Sequence, residues 1–313
     1  VSNITALTAK RIDQKLALIQ KARPLSPSVV QKLRDQFSVE FTYNSNAIEG
    51  NRLTLKETYL VISEGITIKG RSLKDHLEAK DHYEAIQFLF DLIEKDRRHS
   101  INEQLIRSLQ HLVVRESKPE IAGSYRKGSV MISGSAHTPP EAHEVPQQMQ
   151  RFIQWMRKNQ SKLHPIEFAA LAHHRLVFIH PFSDGNGRAA RLLMNLLLMQ
   201  RGYPLVSVLK NDRKKYYDVL ERADRGRVEP LVRLCIQAVE RSLNLYLKVM
   251  GKNNGTTPKY LPLSVVAKGT KYSAKYLNLL VRQGKLEAHK EGRNWVTSRE
   301  ALEQYISARL RKR

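Results

Sequence analysis

The sequence predicts a mainly α-helical protein followed by a small, separate C-terminal unit. Three observations carry this. Apolar residues recur at three- and four-residue spacing through most of the first 250 positions. A glycine-bearing loop at 180–191 separates two such stretches. The polar run 251–258, Gly-Lys-Asn-Asn-Gly-Thr-Thr-Pro, then interrupts the pattern and marks a linker.

In chain order, residues 10–22, 28–43 and 77–94 read as amphipathic helices. Thr54, with Glu57 three residues on, reads as the capping box of a helix between the last two. Residues 101–115 and 145–160 are further helices, Pro146 suiting the first turn of the second. The interval 118–140 differs: it holds glycines, the β-prone run Val130, Met131 and Ile132, and a Pro139-Pro140 stop, and it predicts a small β-hairpin or extended loop. Residues 164–179 and 189–199 are helices on either side of the loop, and helices continue from 214 to about 248.

Composition narrows the function. The 313 residues are 41% hydrophobic and 27% charged, as expected of a soluble globular chain. No run of eighteen apolar residues predicts a membrane span, and the first residues lack the order of a signal peptide. Cys235, the single cysteine, excludes an intrachain disulfide and a cysteine-clustered zinc site, and fits a reducing cytoplasm. A net charge of +23 predicts attraction to nucleic acid, nucleotides or acidic protein surfaces.

The loop His180-Pro-Phe-Ser-Asp-Gly-Asn-Gly-Arg-Ala-Ala-Arg191 concentrates the chemistry. Glycines at the start of a helix let backbone N–H groups approach an anion, and the helix end adds partial positive charge. His180 is the candidate general base. Asp184 supplies a carboxylate suited to magnesium shared with phosphates. Asn186 could donate to a phosphate oxygen while the Gly185 and Gly187 amides face a diphosphate. Arg188 and Arg191, three apart on one helix face, can pair with phosphate oxygens. Phe182 packs inward, and His164, His173 and His174 read as satisfied polar residues. Nucleotide phosphate chemistry is the common reading.

This segment resembles the signature of Fic-domain proteins, H-x-F-x-D/E-G-N-G-R-x-x-R, at every defined position. The resemblance implies a helical Fic core and transfer of AMP from ATP to a hydroxyl of a target protein. It also implies roles: His180 as base, Asp184 as the Mg2+ ligand, Gly185, Asn186, Gly187 and Arg188 as the anion hole, and Arg191 on the γ-phosphate. Asn211, Tyr216 and Tyr217 fall where relatives flank the adenine, although adjacent tyrosines on a helix cannot both stack. Residues 123–140 resemble the family's flap, with Val130, Met131 and Ile132 as the edge that docks the target. Ser45 and Glu49, before Gly50, resemble the inhibitory motif S/T-x-x-x-E-G/N, so Glu49 would pair with Arg191 and withhold it from ATP.

The expected organisation is an N-terminal helical region with the inhibitory helix (1–100), a catalytic core (101–250), a linker (251–258) and a C-terminal domain (259–313). Within the last, residues 263–267 and 273–282, a short pair of alternating runs around Glu291-Gly292, and 299–310 give the layout of a winged helix-turn-helix. The segment holds thirteen Lys/Arg against four Asp/Glu. Lys271, Lys275 and Arg282 lie on or beside the second helix, and Lys290 and Arg293 flank the hairpin turn, which makes DNA a candidate partner. A basic protein-interaction or dimerisation module fits equally, and a homodimer stays open. Three functional alternatives stand beside adenylyl transfer: use of another nucleotide or phosphate moiety, removal of AMP, and a DNA-binding regulator whose Fic domain senses nucleotide.

Overall fold

The structure, a computed structural model, describes residues 3–21, 27–132, 135, 137–251, 260–268, 270–291 and 294–310. Among these the helices are α1 (Ala6–Lys21), α2 (Pro27–Ile48), α3 (Leu55–Glu64), α4 (Leu73–Lys95), α5 (Glu103–Val114), α6 (Val145–Asn159), α7 (Pro165–Ile179), α8 (Asn186–Gln200), α9 (Arg213–Asp224), α10 (Glu229–Gly251), α11 (Leu263–Ala267), α12 (Ala274–Arg282) and α13 (Arg299–Leu310). Strands β1 (Leu261–Pro262), β2 (His289–Glu291) and β3 (Asn294–Thr297) form one antiparallel sheet in the order β1-β3-β2. The fold is mainly helical with this one small sheet.

By its contacts the chain divides into two units. The first comprises residues 1–5 and 22–239, and the second Ala6–Lys21 with everything from Glu240.

In the first unit α7 and α8 form the centre. Ala169, Ala170 and Ala172 on α7, and Ala189 and Ala190 on α8, are each 0% exposed, and such small side chains let two helices approach closely. Helix α8 is buried nearly all round, which is the pattern of a central helix. Arg188, Arg191 and Asn195 are carried inside with Leu192, Leu193 and Leu196. Each of those leucines stabilises by roughly 1.5–3 kcal/mol on burial, which offsets the cost of bringing polar groups along. Caps fix the surrounding helices. Thr54 Oγ1 accepts from the Glu57 amide at 3.2 Å while Glu57 Oε2 accepts from the Thr54 amide at 2.7 Å, the predicted capping box. Pro146 lies in the first turn of α6.

Of the two forms expected of 118–140, the described residues show the extended loop. Among the described residues of 118–140 there is no hairpin; the chain runs extended after a short 3-10 turn at Pro119–Ile121. Its one bridge joins Tyr125 to Phe182, antiparallel, and the Arg126 amide donates to Pro181 O at 3.0 Å. Residues 125 and 126 therefore pair with the 181–182 stretch. Val130 and Ile132 are half-buried and Met131 is exposed; residues 133, 134 and 136 lie outside the described residues.

In the second unit, Glu240 is buried and needs cations. Arg11 supplies a forked pair at 2.7 and 3.0 Å, and Lys15 lies at 3.5 Å from Glu240 and 2.6 Å from Glu287. Partners more than 220 residues apart leave no trace in local sequence pattern, so α1's place here was not legible. Leu263, Val266, Leu277, Leu280 and Leu302 form a small core. Ser273 Oγ accepts from the Tyr276 amide at 3.1 Å to start α12, and Ser298 Oγ from the Ala301 amide at 3.1 Å to start α13. The expected linker and turn fall mostly on residues 252–259 and 292–293, outside the described residues.

Candidate active site

His180 ends α7 in the left-handed conformation, φ 50 and ψ 56, and is the one non-glycine residue with positive φ among those described. For an L-residue this costs about 1–2 kcal/mol, so the surroundings must hold it. They do so on both sides: the His180 amide donates to Leu176 O at 3.1 Å, and His180 O accepts from Arg126 Nε at 2.8 Å. The ring contacts the Val177 carbonyl through Nδ1 at 3.3 Å. A carbonyl only accepts, so Nδ1 carries the proton and Nε2 keeps its lone pair. Burial pushes the imidazole's pKa below its ordinary value, with Arg126 and His137 adding to the effect and the Val177 bond and Glu49 opposing it. The neutral ring is thereby favoured.

The loop after His180 is braced from within. Phe182 is fully buried, and its backbone is closed by Asn186, whose Nδ2 donates to Phe182 O at 2.8 Å and whose Oδ1 accepts from the Phe182 amide at 3.0 Å. In this structure the Asn186 side chain is engaged with the loop's own backbone. Buried at 2% exposure, it holds the loop closed. Gly185, φ 81, caps α8; a Cβ there would lie 3.1 Å from Val114 Cγ1, so only glycine fits comfortably. The first amides of α8 then have no carbonyl of their own helix to pair with and form an anion-seeking end.

Asp184 lies between two cations, Lys118 Nζ at 2.5 Å and Arg188 Nη2 at 3.3 Å, and its Oδ1 accepts from the Gly185 amide at 2.6 Å. Burial alone would raise its pKa, but Arg188, Lys118 and the amide outweigh burial and lower it. Arg188, almost wholly buried, also donates to Val113 O at 3.3 Å and lies 3.6 Å from Glu78 Oε1.

Arg191 is fully buried, and its donors converge on α2. Nε donates to Ser45 Oγ at 3.0 Å, Nη2 to Ser45 O at 2.9 Å and to Glu49 Oε1 at 2.7 Å, and Nη1 to Tyr216 Oη at 3.3 Å. Burial would weaken the guanidinium's hold on its proton, yet Glu49 and the Tyr216 oxygen more than reverse this. Glu49 also fills the space above Gly187: a Cβ on that glycine would lie 2.3 Å from Glu49 Oε1. Ser45, Glu49, Gly187 and Arg191, separated by up to 146 residues, meet at one point.

The expected nucleoside residues divide. Tyr216 is 2% exposed, its hydroxyl lies 2.8 Å from His173 Nε2, and it accepts from Arg191 within the core. Burial pushes His173 down to about 3, with Arg191 and His174 adding to it. Tyr217 is half-buried; its hydroxyl donates to Ile48 O at 3.4 Å, and Arg213 Nε donates to the same carbonyl at 2.7 Å. Asn211 is exposed in the 3-10 turn Lys210–Asp212. His174 meets Asp224 Oδ1 at 2.8 Å and His164 Nδ1 caps α7, the bland roles expected of them.

Sequence reasoning missed Lys118, Arg126 and Gln110. Gln110 Nε2 donates to Asp184 O at 3.0 Å and its Oε1 accepts from the Gly123 amide at 2.6 Å, joining the motif loop to the 123–128 segment. No spacing rule singles out these three, because each acts through partners distant in the chain.

A helical bundle whose two central helices are joined by a braced loop that opens the second with glycine is the class that fold and site define. Residues 100–198 match the Fic/DOC family. The chain is similar to the protein adenylyltransferase Fic of Nematostella vectensis, 36% identical over 269 residues, covering 77% of this chain and 62% of that protein. It is 33% identical to the protein of the same name from Drosophila virilis over 297 residues, covering 92% and 59%. The chain thus spans about three fifths of the length of these curated relatives. Among solved structures, a Fic domain containing signaling protein from Bacteroides thetaiotaomicron matches with a TM-score of 0.71 at 30% identity, covering 80% of this chain and 100% of that one. Fic-1 of C. elegans matches with a TM-score of 0.71 at 28% identity, covering 79% and 73%. The chain belongs to the Fic/DOC family.

Proposed function

We propose that this chain is a protein adenylyltransferase that moves AMP from ATP to a hydroxyl side chain of a target protein, and that Glu49 holds it in check. The names of its relatives support the reaction. The observation that carries the restraint is the Glu49–Arg191 pair at 2.7 Å directly over Gly187.

In this reading His180 Nε2 takes the hydroxyl proton as the target oxygen attacks the α-phosphorus. The new O–P bond forms as the bond to the leaving diphosphate breaks. The amides at the start of α8 and Arg188 hold the diphosphate, and Arg191 takes the γ-phosphate once Glu49 has left it. Asp184 suits magnesium: it is ionised, about one-third exposed, and single-carboxylate sites completed by substrate phosphates and water are usual for that ion. When bound, Mg2+ neutralises phosphate charge as diphosphate departs. Val130, Met131 and Ile132 form the edge against which target backbone is aligned.

The order α11, α12, β2–β3 and α13 favours a winged helix for 259–313, and its charge favours DNA as a partner. A gel shift of the full chain that weakens steeply with salt supports this; no shift at low salt removes it.

The catalytic reading is tested with separately α-labelled ATP, GTP, UTP and CTP. Label from ATP alone, increased by Glu49→Gly and abolished by adding His180→Ala, is expected. Incorporation of another nucleotide, or none with Glu49→Gly, refutes it.

A further inference from the structure

Arg126 is 4% exposed, and its side-chain donors go to backbone carbonyls. Nε donates to His180 O at 2.8 Å, Nη1 to Gly128 O at 3.0 Å, and Nη2 to Pro140 O. Its own amide donates to Pro181 O at 3.0 Å. One planar fork therefore joins three places: the carbonyl of the candidate base, and the two ends of the stretch that carries Val130, Met131 and Ile132.

The placement is poorly explained as a stability device. A buried guanidinium gains most from a carboxylate at bonding distance, and none of these three acceptors is one. Burial lowers the pKa of Arg126, with Glu141 only partly compensating, so the guanidinium stays charged there at a desolvation cost. The residue it grips is the one held in a left-handed conformation without being glycine. Local rules broken together at one spot mark a functional constraint. Lysine cannot replace this geometry, because a single ammonium lacks donors fixed in a plane.

We propose that Arg126 is a positioning residue for the transfer reaction, fixing the backbone of His180 and tying it to Gly128 and Pro140 so that base and target-docking edge share one register. It acts through His180 and the flap ends, not on nucleotide. This rests on the adenylyl-transfer reading above.

The test compares Glu49→Gly with Glu49→Gly/Arg126→Lys and Glu49→Gly/Arg126→Gln in the full chain. Three readouts are needed: the rate of auto-modification at saturating α-labelled ATP, the Kd for ATP by calorimetry, and the melting temperature. A base misplaced by about 1 Å loses on the order of 100-fold in rate. Both variants are expected to show that loss, with ATP affinity within about twofold of the parent, since the Arg126 partners lie outside 184–191. Arg126→Gln also raises the acidic limb of the pH–rate profile, because the cation beside His180 is gone; Arg126→Lys moves it less. His137 stays as the other neighbour that lowers the His180 pKa, Glu49 being absent from all three proteins.

A rate within about threefold of the parent in either folded variant overturns the proposal. So does a loss that resides in ATP affinity. Failure of both variants to fold would make Arg126 a stability residue and overturns it too. If Glu49→Gly itself incorporates no label with Arg126 intact, the adenylyl-transfer reading fails first and removes the premise.

Discussion

Replacing Glu49 with glycine should tighten ATP binding by about 10- to 30-fold, and the structure sets that size. Closed protein cannot offer Arg191 to a phosphate while Nη2 is bonded to Glu49 at 2.7 Å and Glu49 Oε1 fills the space above Gly187. A hydrogen bond between charged groups is worth about 1.5–3 kcal/mol, and Glu49 is one-third exposed, so the lower part of that range, about 1.5–2 kcal/mol, applies. The open state is then populated at roughly 3–10%, and apparent affinity is reduced by that fraction. Position 49 lies just past the end of α2, so glycine removes no helix-interior residue. Glu49→Gln, which keeps the shape but not the charge, should fall between the two. The assay is calorimetric titration with ATP and magnesium in a His180→Ala background, where no turnover confuses the heat. A Kd within twofold of the Glu49 parent would refute the reasoning.

The pH dependence of Glu49→Gly should show an acidic limb below the ordinary imidazole value. His180 works as a base only when neutral, its pKa is lowered, and removing Glu49 takes away an influence that raises it; a limb at or above the usual value contradicts this. Arg213→Ala should raise auto-modification by about 3- to 10-fold, less than Glu49→Gly, because it frees the last carbonyl of α2 from one exposed charged donor. An unchanged rate would show that α2 is not held there. Lys118→Ala should strengthen apparent magnesium affinity, read as the magnesium dependence of ATP binding, since the ammonium competes for Asp184; equal midpoints would count against the competition. Asn186→Ala should lower stability by about 2–3 kcal/mol through two lost bonds to buried backbone, seen as a lower denaturant midpoint. A midpoint unmoved would leave the loop braced by something else.

What the sequence determined is local in character. Helices at 145–160, 164–179 and 273–282 follow from apolar spacing and caps, and those signals lie within a few residues of the elements they specify. The loop at 180–191 was legible as a candidate site for the same reason: imidazole, carboxylate, glycines and arginines share one short stretch. Ser45 and Glu49 stood out only through a resemblance, and their contact with Arg191 has no local signal. Tertiary structure decided the rest. It turned Asn186 and Tyr216 inward, because each found buried partners that no spacing rule encodes. It paired Tyr125 with Phe182, and gave Asp184 a lysine from 66 positions away. It put Glu49 onto Arg191 across 142 residues and Arg126 onto His180 across 54. Sequence periodicity reports which face of an element is buried; it carries no record of which distant face will cover it, and the contacts around Arg191 and His180 are made of such distant meetings.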